Sequence, residues 1–432
     1  MANTATVKIW NKEIGAIAWD LLTGVGTFEF DAAFIKNNWD LSPIKMPVNR
    51  TINRTFSFSE LSRSSTFQGL PGLLADVLPD KYGNTLIDAW LAREGRPSGS
   101  LNPVEKLLFI GKRGMGALEF EPPDKRGTNT STNIELNSLV QVANDILNKR
   151  IDFSTNLSSN ENKTLLDILK IGTSAGGARA KAVIAYNPVT GKVKSGQAEA
   201  PEGFTHWLIK FDGVQDLQFG DSKGYGRVEM AYHLMAKDAE IEMAECRLLE
   251  ENDRAHFMTR RFDRDSNTGK LHFQSFCAMQ HFDFNDVNSY SYEQLFETMR
   301  LLGLTYPQAE QLFRRMVFNV IARNCDDHTK NFAFIMDKNG IWKLSPAYDL
   351  CYSYNPDSFW VSKQSLSVNG KRKNIIRDDL LAVAKQMNIK KAANIISQIN
   401  EIVSKWSDYA EQTKVNNDLD HIIKKNLINI NN

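Results

Sequence analysis

Hydrophobic and polar positions alternate from the start of the chain. Residues 6–20, TVKIWNKEIGAIAWD, keep a two-residue period with a polar interruption at Asn11 and Lys12, which predicts a β-hairpin, and GTFEF at 26–30 continues the β-type pattern. A loop-rich stretch, FQGLPGLLADVLPD, leads into helical spacing near residues 84–93. EPPDKRGTNTSTN (121–133) and DFSTNLSSNENKT (152–164) carry little to bury and read as polar connections, with the helical spacing of SLVQVANDILNKR between them. LLDILKIG opens a new pattern: the loop TSAGGARA, then KAVIAYNPVTGKVKSG as strand, Asn-Pro turn and return strand, then FTHWLIKF at 204–211 as a further strand. GRVEMAYHLMAKDAEIE (226–242) is helical by spacing, and AHFMTRRFDR (255–264) is extended. From about Ser291 the chain turns mainly helical. Leu312, Met316 and Val320 form one apolar stripe in QLFRRMVFNVIARN, and LLAVAKQM, ANIISQINEIVSKW and HIIKKNLI are similar. The expected class is α+β, with a β-rich first part and a mainly α-helical last part.

Composition narrows the function classes. A chain of 432 residues suggests two or three domains, and its 42% hydrophobic and 10% aromatic content is ordinary for a globular protein. The net charge of +1 supplies no bulk electrostatic reason to bind nucleic acid. No basic and apolar leader opens the sequence and no run reaches the length of a membrane span, so the expectation is a cytoplasmic protein with no membrane partner. Cys246, Cys277, Cys325 and Cys351 form no C-x-x-C pair, which argues against a zinc ribbon or a disulfide framework.

Candidate chemistry concentrates in NCDDHTKNFAFIMDKNGIWKLSPAYDL, residues 324–350. Asp326 precedes Asn331 in a D-x-x-x-x-N pattern at the end of the apolar helical stripe. The runs FAFIM and IWKL around the turn DKNG predict a hairpin, and Asp349 follows it. Protein kinases use this order for a catalytic aspartate, a metal-binding asparagine and a second metal-binding aspartate. Mg²⁺ needs hard oxygen ligands, which Asn331 and Asp349 offer, and an attacking hydroxyl needs an acceptor, which Asp326 offers. Asp327 competes for the base role, but only Asp326 has the asparagine at the right offset. Read without company, the same residues are solvated turns between packed elements.

Upstream residues fit the same chemistry. Lys210 ends the run HWLIK, where kinases place a lysine on the α and β phosphates, and Glu229 in the following helix is its natural partner. The alternatives are a surface lysine at a strand end and a first-turn glutamate favoured by the helix dipole. In GTSAGGARAK (172–181), Gly172, Gly176 and Gly177 let backbone N–H groups approach phosphates. The loop is neither G-x-G-x-x-G nor a Walker loop, and a flexible hairpin loop is its plainer reading; Lys181 either reaches a phosphate or flanks the strand.

Together, GTSAGGARAKA, THWLIKF, RRFDR, NCDDHTKNFAF and LSPAYDL resemble the HipA family of bacterial toxin–antitoxin serine/threonine kinases, and the β-rich start with FQGLPGLLADVLPD is similar to that family's amino-terminal domain. The resemblance implies a kinase-like bilobal fold: a β-rich subdomain at 1–135, an N-lobe-like region at 136–262 and a helical C-lobe at 263–432. It implies ATP and Mg²⁺ as cofactors, Asp326 as catalytic base, Asn331 and Asp349 as metal ligands and Lys210 as the phosphate-holding lysine. His328 and Lys330 would lie against the phosphates. The loop carrying Ser174, Ala175, Gly176, Gly177, Ala178, Arg179 and Lys181 would cover them, and Arg260, Arg261 and Phe262 would form the hinge that meets adenine. Ser174 is the implied autophosphorylation site, where added negative charge repels polyphosphate. The implied partners are a HipB-like helix-turn-helix antitoxin, operator DNA reached through it, and a protein substrate, the family's known target being an aminoacyl-tRNA synthetase. Asn-Cys-Asp stands where eukaryotic kinases carry His-Arg-Asp, which puts control by activation-loop phosphorylation in doubt. A small-molecule kinase and a non-catalytic corepressor are the competing readings.

Overall fold

The computed structural model describes residues 2–37, 39–48, 55–122, 136–147, 172, 179–196, 200–216, 220–221, 223–265 and 269–430. The chain divides into two compact units. One holds residues 1–39, 48–226 and 246–272, and the other holds 40–47, 227–245 and 273–432.

The first unit carries two five-stranded antiparallel sheets. Strands β1 (Thr4–Ile9), β2 (Lys12–Asp20), β3 (Val25–Phe30), β4 (Thr55–Ser57) and β5 (Leu118–Glu121) form one, in the order β4-β3-β2-β1-β5. The first hairpin is present with its turn one residue earlier than the polar interruption suggests: Ile9 pairs with Lys12, and Trp10 and Asn11 both take positive φ, +48° and +63°. Two left-handed central residues make the turn that matches strand twist. A tryptophan accepts that conformation because its indole is held from outside, donating to the Lys270 carbonyl at 2.6 Å and packing edge-on to Trp39.

Strands β6 (Lys181–Tyr186), β7 (Val193–Ser195), β8 (Thr205–Lys210), β9 (Cys246–Glu251) and β10 (Arg254–Arg260) form the other sheet, in the order β9-β10-β8-β6-β7. Ala182, Ile184, Trp207, Ile209 and Met258 bury its inner face in one core with Leu86 and Trp90 of the helix Lys81–Arg93 and with Leu139 and Ala143 of the helix Leu136–Leu147. The helix Lys81–Arg93 starts three residues before the expected position because Asp80 caps it, its Oδ1 accepting the Gly83 N–H at 2.6 Å. The connecting stretches at 123–133 and 152–164, and LLDILK at 165–170, lie outside the described residues.

The second unit is mainly helical. The helix Tyr306–Ile321 buries Leu312, Met316 and Val320 as the stripe predicts, but every residue from 312 to 321 is buried. A helix buried all round must pair its polar groups. Arg314 meets Glu240 at 2.8 Å and donates to the Ala239 carbonyl, while Arg315 donates to the Ser345 carbonyl at 2.6 Å. The helices Arg377–Met387, Ala392–Ser404 and Asn417–Asn426 follow, as the spacing predicts, with the short helix Trp406–Gln412 added between the last two. The α+β class with a β-rich start and a helical last part is the observed one. Among the described residues no helix is long and apolar enough to cross a membrane.

One buried group ties this unit's stability to pH. His233, in the helix Tyr225–Asp238, is 4% exposed, its Nδ1 has no hydrogen-bond partner, and burial pushes its pKa down to about 4, with Lys237 adding to the shift. The unfolded imidazole protonates near pH 6.5 while the native one stays neutral, so stability is fully present above pH 6.5 and drains as pH falls toward 4. We expect this residue alone to cost about 2 kcal/mol at pH 5. Urea unfolding at pH 7.5 and pH 5 should show a smaller difference for His233→Leu than for the wild type.

Candidate active site

The second unit places the acidic segment on two loops flanking a hairpin. Helix Tyr306–Ile321 ends at Ala322, and the chain then runs through Asp326 to a short 3₁₀ turn, Thr329–Asn331. Strands β11 (Ala333–Met336) and β12 (Trp342–Leu344) pair antiparallel, and the chain leaves β12 into the loop that holds Asp349.

The first loop is closed by its own side chains. Asn331 Nδ2 donates to the Asp326 carbonyl at 2.6 Å, so its amide oxygen is the end left for a ligand. His328 accepts the Lys330 N–H on Nδ1, which turns its Nε2 to 3.8 Å from Asp326 Oδ1. Its ring packs on Phe284, and the Lys330 ammonium lies over the same ring at 5.0 Å. The phenol of Tyr348 donates to the Lys330 carbonyl at 2.7 Å, joining the second loop to the first. Asp349 itself adopts φ +53°, a strained conformation for a residue with a side chain and one that concentrates at functional sites.

The two adjacent aspartates have opposite environments. The Asp326 side chain is 48% exposed, whereas Asp327 is fully buried. Asp327 accepts from the Tyr292 phenol at 2.6 Å, from Gln364 Nε2 at 3.0 Å and from the Ser365 N–H at 2.7 Å. Burial pushes its carboxyl up to about 6, and the three donors pull the other way. Tyr292 in turn accepts from Asn319, Asn319 accepts from Asn324, and Asn324 reaches the Asp349 carbonyl at 3.5 Å. One buried chain of hydrogen bonds thus runs from the first acidic loop to the second. Of the two, Asp326 presents its carboxylate to solvent, while Asp327 is taken up in this buried network.

Residues 173–406 match the HipA-like C-terminal domain, and residues 5–121 match the HipA N-terminal domain. The chain belongs to the HipA family. Among solved structures, a chain of the Shewanella oneidensis MR-1 toxin–antitoxin complex of HipA, HipB and operator DNA aligns over 98% of this chain and 95% of its own at a TM-score of 0.68 and 15% identity, a likeness of fold. The Helicobacter pylori proinflammatory kinase CtkA aligns over 52% of this chain and 92% of its own, with a TM-score of 0.29 and 13% identity. No curated protein sequence matches.

In this HipA-family chain the other expected site residues are distributed as follows. Lys210 closes β8, its ammonium 5.9 Å from the Phe257 ring centre. Just beyond it, Asp212 fixes the strand end: its carboxylate accepts the Gly224 and Ala255 N–H groups, and its own N–H donates to His256. Gly226 passes so close to β10 that a Cβ would fall 1.9 Å from the Ala255 carbonyl, so only glycine fits there. Glu229 is buried in the helix Tyr225–Asp238. Arg179 stacks on Tyr225 at 4.5 Å. Lys181 is buried with its ammonium 3.2 Å from Asp80, which favours the strand-flanking role over a phosphate contact. Arg260 ends β10 and Phe262 follows it. Arg261 does not offer its side chain: it is buried on Asp263 at 2.6 Å and on the Gly114 carbonyl. Burial pushes the Asp263 carboxyl up, but Arg261 and Arg264 outweigh it and hold the group well below the usual carboxylate range. Ser174, Ala175, Gly176, Gly177 and Ala178 lie outside the described residues.

Sequence reasoning missed Phe284, Tyr292, Asn319, Gln364 and Ser365. Phe284, an aromatic inside the polar run HFDFND, is the one with a local signal.

The donor set fits a magnesium nucleotide. Among the described residues no group of three or more His, Cys, Asp or Glu side chains gathers as a cage for an ion. Mg²⁺ is held by one or two protein oxygens plus substrate phosphates, and the Asn331 amide oxygen and the Asp349 carboxylate are oxygens of that kind.

Proposed function

We propose that this HipA-family chain is an ATP- and Mg²⁺-dependent serine/threonine-protein kinase and the toxin of a toxin–antitoxin pair. The observation that carries the reading is the solvent-facing Asp326 on a loop closed by Asn331, followed by the hairpin and the left-handed Asp349. Asp326 accepts the proton of a serine or threonine hydroxyl as its oxygen bonds to the γ-phosphorus, and the bond to the β-phosphate oxygen breaks to release ADP. His328 and Lys330, packed on Phe284, place positive charge and N–H donors beside that loop for the phosphates, and Lys210 holds the α and β phosphates. Bound through Asn331 and Asp349, Mg²⁺ would neutralise charge on the transferring group. Ser174 is the proposed site of self-phosphorylation, which limits activity by repelling ATP.

The growth-arresting target is a protein, with an aminoacyl-tRNA synthetase the first to test, and the setting is the cytoplasm. The proposed partner is a HipB-like antitoxin that carries the DNA contacts, in keeping with the Shewanella complex and with this chain's balanced charge.

The test is incubation of the purified protein with Mg²⁺ and ATP, followed by intact mass, peptide mapping and thermal unfolding. We expect phosphate on Ser174 and an ATP-dependent rise in Tm. Absence of phosphate on this protein and on co-incubated lysate proteins, with no Tm shift, would overturn the kinase reading in favour of a non-catalytic corepressor. Transfer confined to metabolites would move the assignment to a small-molecule kinase.

A further inference from the structure

The segment after Asp349 is pinned to the catalytic loop at both ends. At one end, the Ser353 N–H donates to the Arg323 carbonyl at 3.0 Å and the Ser353 carbonyl accepts the Cys325 N–H at 3.1 Å. The Arg323 guanidinium also stacks on the Tyr354 ring at 4.1 Å. At the other end, Gln364 donates to the Asn324 carbonyl and to Asp327, and Ser365 donates to Asp327 through its N–H and to the Cys325 carbonyl through its hydroxyl. These anchors fall within three residues of Asp326, and Lys363 adds one elsewhere, donating to Asn288 Oδ1 at 2.6 Å. Residues 354–363 therefore form a projection whose base is the catalytic loop itself.

The projection has a fixed internal shape. Asn355 accepts the Asp357 N–H on its side chain and the Ser358 N–H on its carbonyl, and its own N–H reaches the Val361 carbonyl. The Ser358 hydroxyl accepts the Trp360 and Val361 N–H groups, and its carbonyl accepts the Ser362 N–H. This framework presents Phe359, 66% exposed, and Trp360, 38% exposed, as an edge-to-face pair with centroids 5.2 Å apart. Large aromatics held rigidly in water contribute little to the fold, whereas ordered aromatic anchors bind apolar side chains at low entropic cost.

We propose that Phe359 and Trp360 form a docking platform for a protein substrate, taking an apolar side chain within two residues of the acceptor hydroxyl. The inference rests on the kinase reading above and deepens it. The projection that carries the platform springs from the loop that holds Asp326, and this shared base is what links the aromatic pair to the acceptor hydroxyl. An apolar neighbour finds on the aromatic pair two large exposed hydrophobic side chains in contact with each other, whereas Ile341 and Ile376, also exposed, lie outside the projection. A small polar metabolite would gain nothing from them, because such ligands are held by convergent polar groups in a pocket.

The test uses octapeptides with one serine in an alanine background, in which one position within two residues of the serine is leucine or aspartate. We expect the wild type to favour leucine over aspartate at one or more positions by about tenfold to a hundredfold in kcat/KM, the range one apolar side chain commands. The double variant Phe359→Ser, Trp360→Ser should lose that preference through KM, while the ATP-induced rise in Tm in the same samples reports a folded nucleotide site. Equal use of leucine and aspartate peptides, or a preference unchanged in the double variant, overturns the docking platform. Transfer to lysate proteins but to no peptide overturns it as well. No transfer to any acceptor by the wild type brings down the kinase reading itself.

Discussion

Asp326→Asn should lower the rate of phosphoryl transfer by about a thousandfold while leaving folding and nucleotide binding in place, since a positioned base contributes roughly 10²- to 10⁴-fold. Asparagine keeps the size of the side chain and can still accept a hydrogen bond, but it cannot take the hydroxyl proton. The Asp326 side chain is half exposed, and the bond that Asn331 donates goes to its backbone carbonyl. The substitution therefore leaves the loop's own closing bond intact. Single-turnover transfer from labelled ATP, read beside urea unfolding and the ATP-dependent Tm, separates the two effects. Wild-type transfer rates in the variant would remove Asp326 from the chemistry.

Asp327→Ala should do the reverse and strike the fold first, by about 3 kcal/mol or more. Removing one partner of a buried polar cluster leaves the others desolvated and unpaired. Here the Tyr292 phenol and the Ser365 N–H lose their acceptor, Gln364 Nε2 keeps only the Asn324 carbonyl, and Tyr292 is also the link to Asn319. The loss should appear as a lower urea midpoint and as new protease cleavage within residues 353–365, whose anchors on Asp327 are gone. Activity should fall with the ordered fraction and recover where the variant is stabilised. A variant as stable as the wild type would show that the cluster is ornamental.

The division between these neighbours shows what a sequence exposes and what it withholds. Asp326, Asn331, the hairpin and Asp349 are legible because their geometry is local: a helix end, a turn and two short strands set the order of the groups within 24 residues. The role of Asp327 is not legible, because Gln364 and Ser365 lie 37 and 38 residues downstream and nothing in their own surroundings marks them. Lys181 is similar. Its place at the end of the glycine-rich stretch is readable, but its partner Asp80 lies about a hundred residues earlier, at the cap of another helix. Arg314 and Arg315 interrupt the apolar stripe of their helix and would be placed in solvent by pattern alone. Partners supplied by residues 239, 240, 345 and 398 make their burial possible. Trp10 overrides turn preference in the same manner, through contacts with Trp39 and Lys270 that are remote in sequence.

The chain of bonds that joins the two acidic loops contains a phenol, two side-chain amides and a single carboxylate, all four buried. Mobile ions screen exposed charges over about 8 Å at physiological ionic strength and reach buried neutral donors far less. Added salt should thus weaken the hold proposed for Lys330 on a polyanion without slackening the frame that joins the two acidic loops. A loss of turnover at high ionic strength would then be a loss of ligand, reversible by raising its concentration.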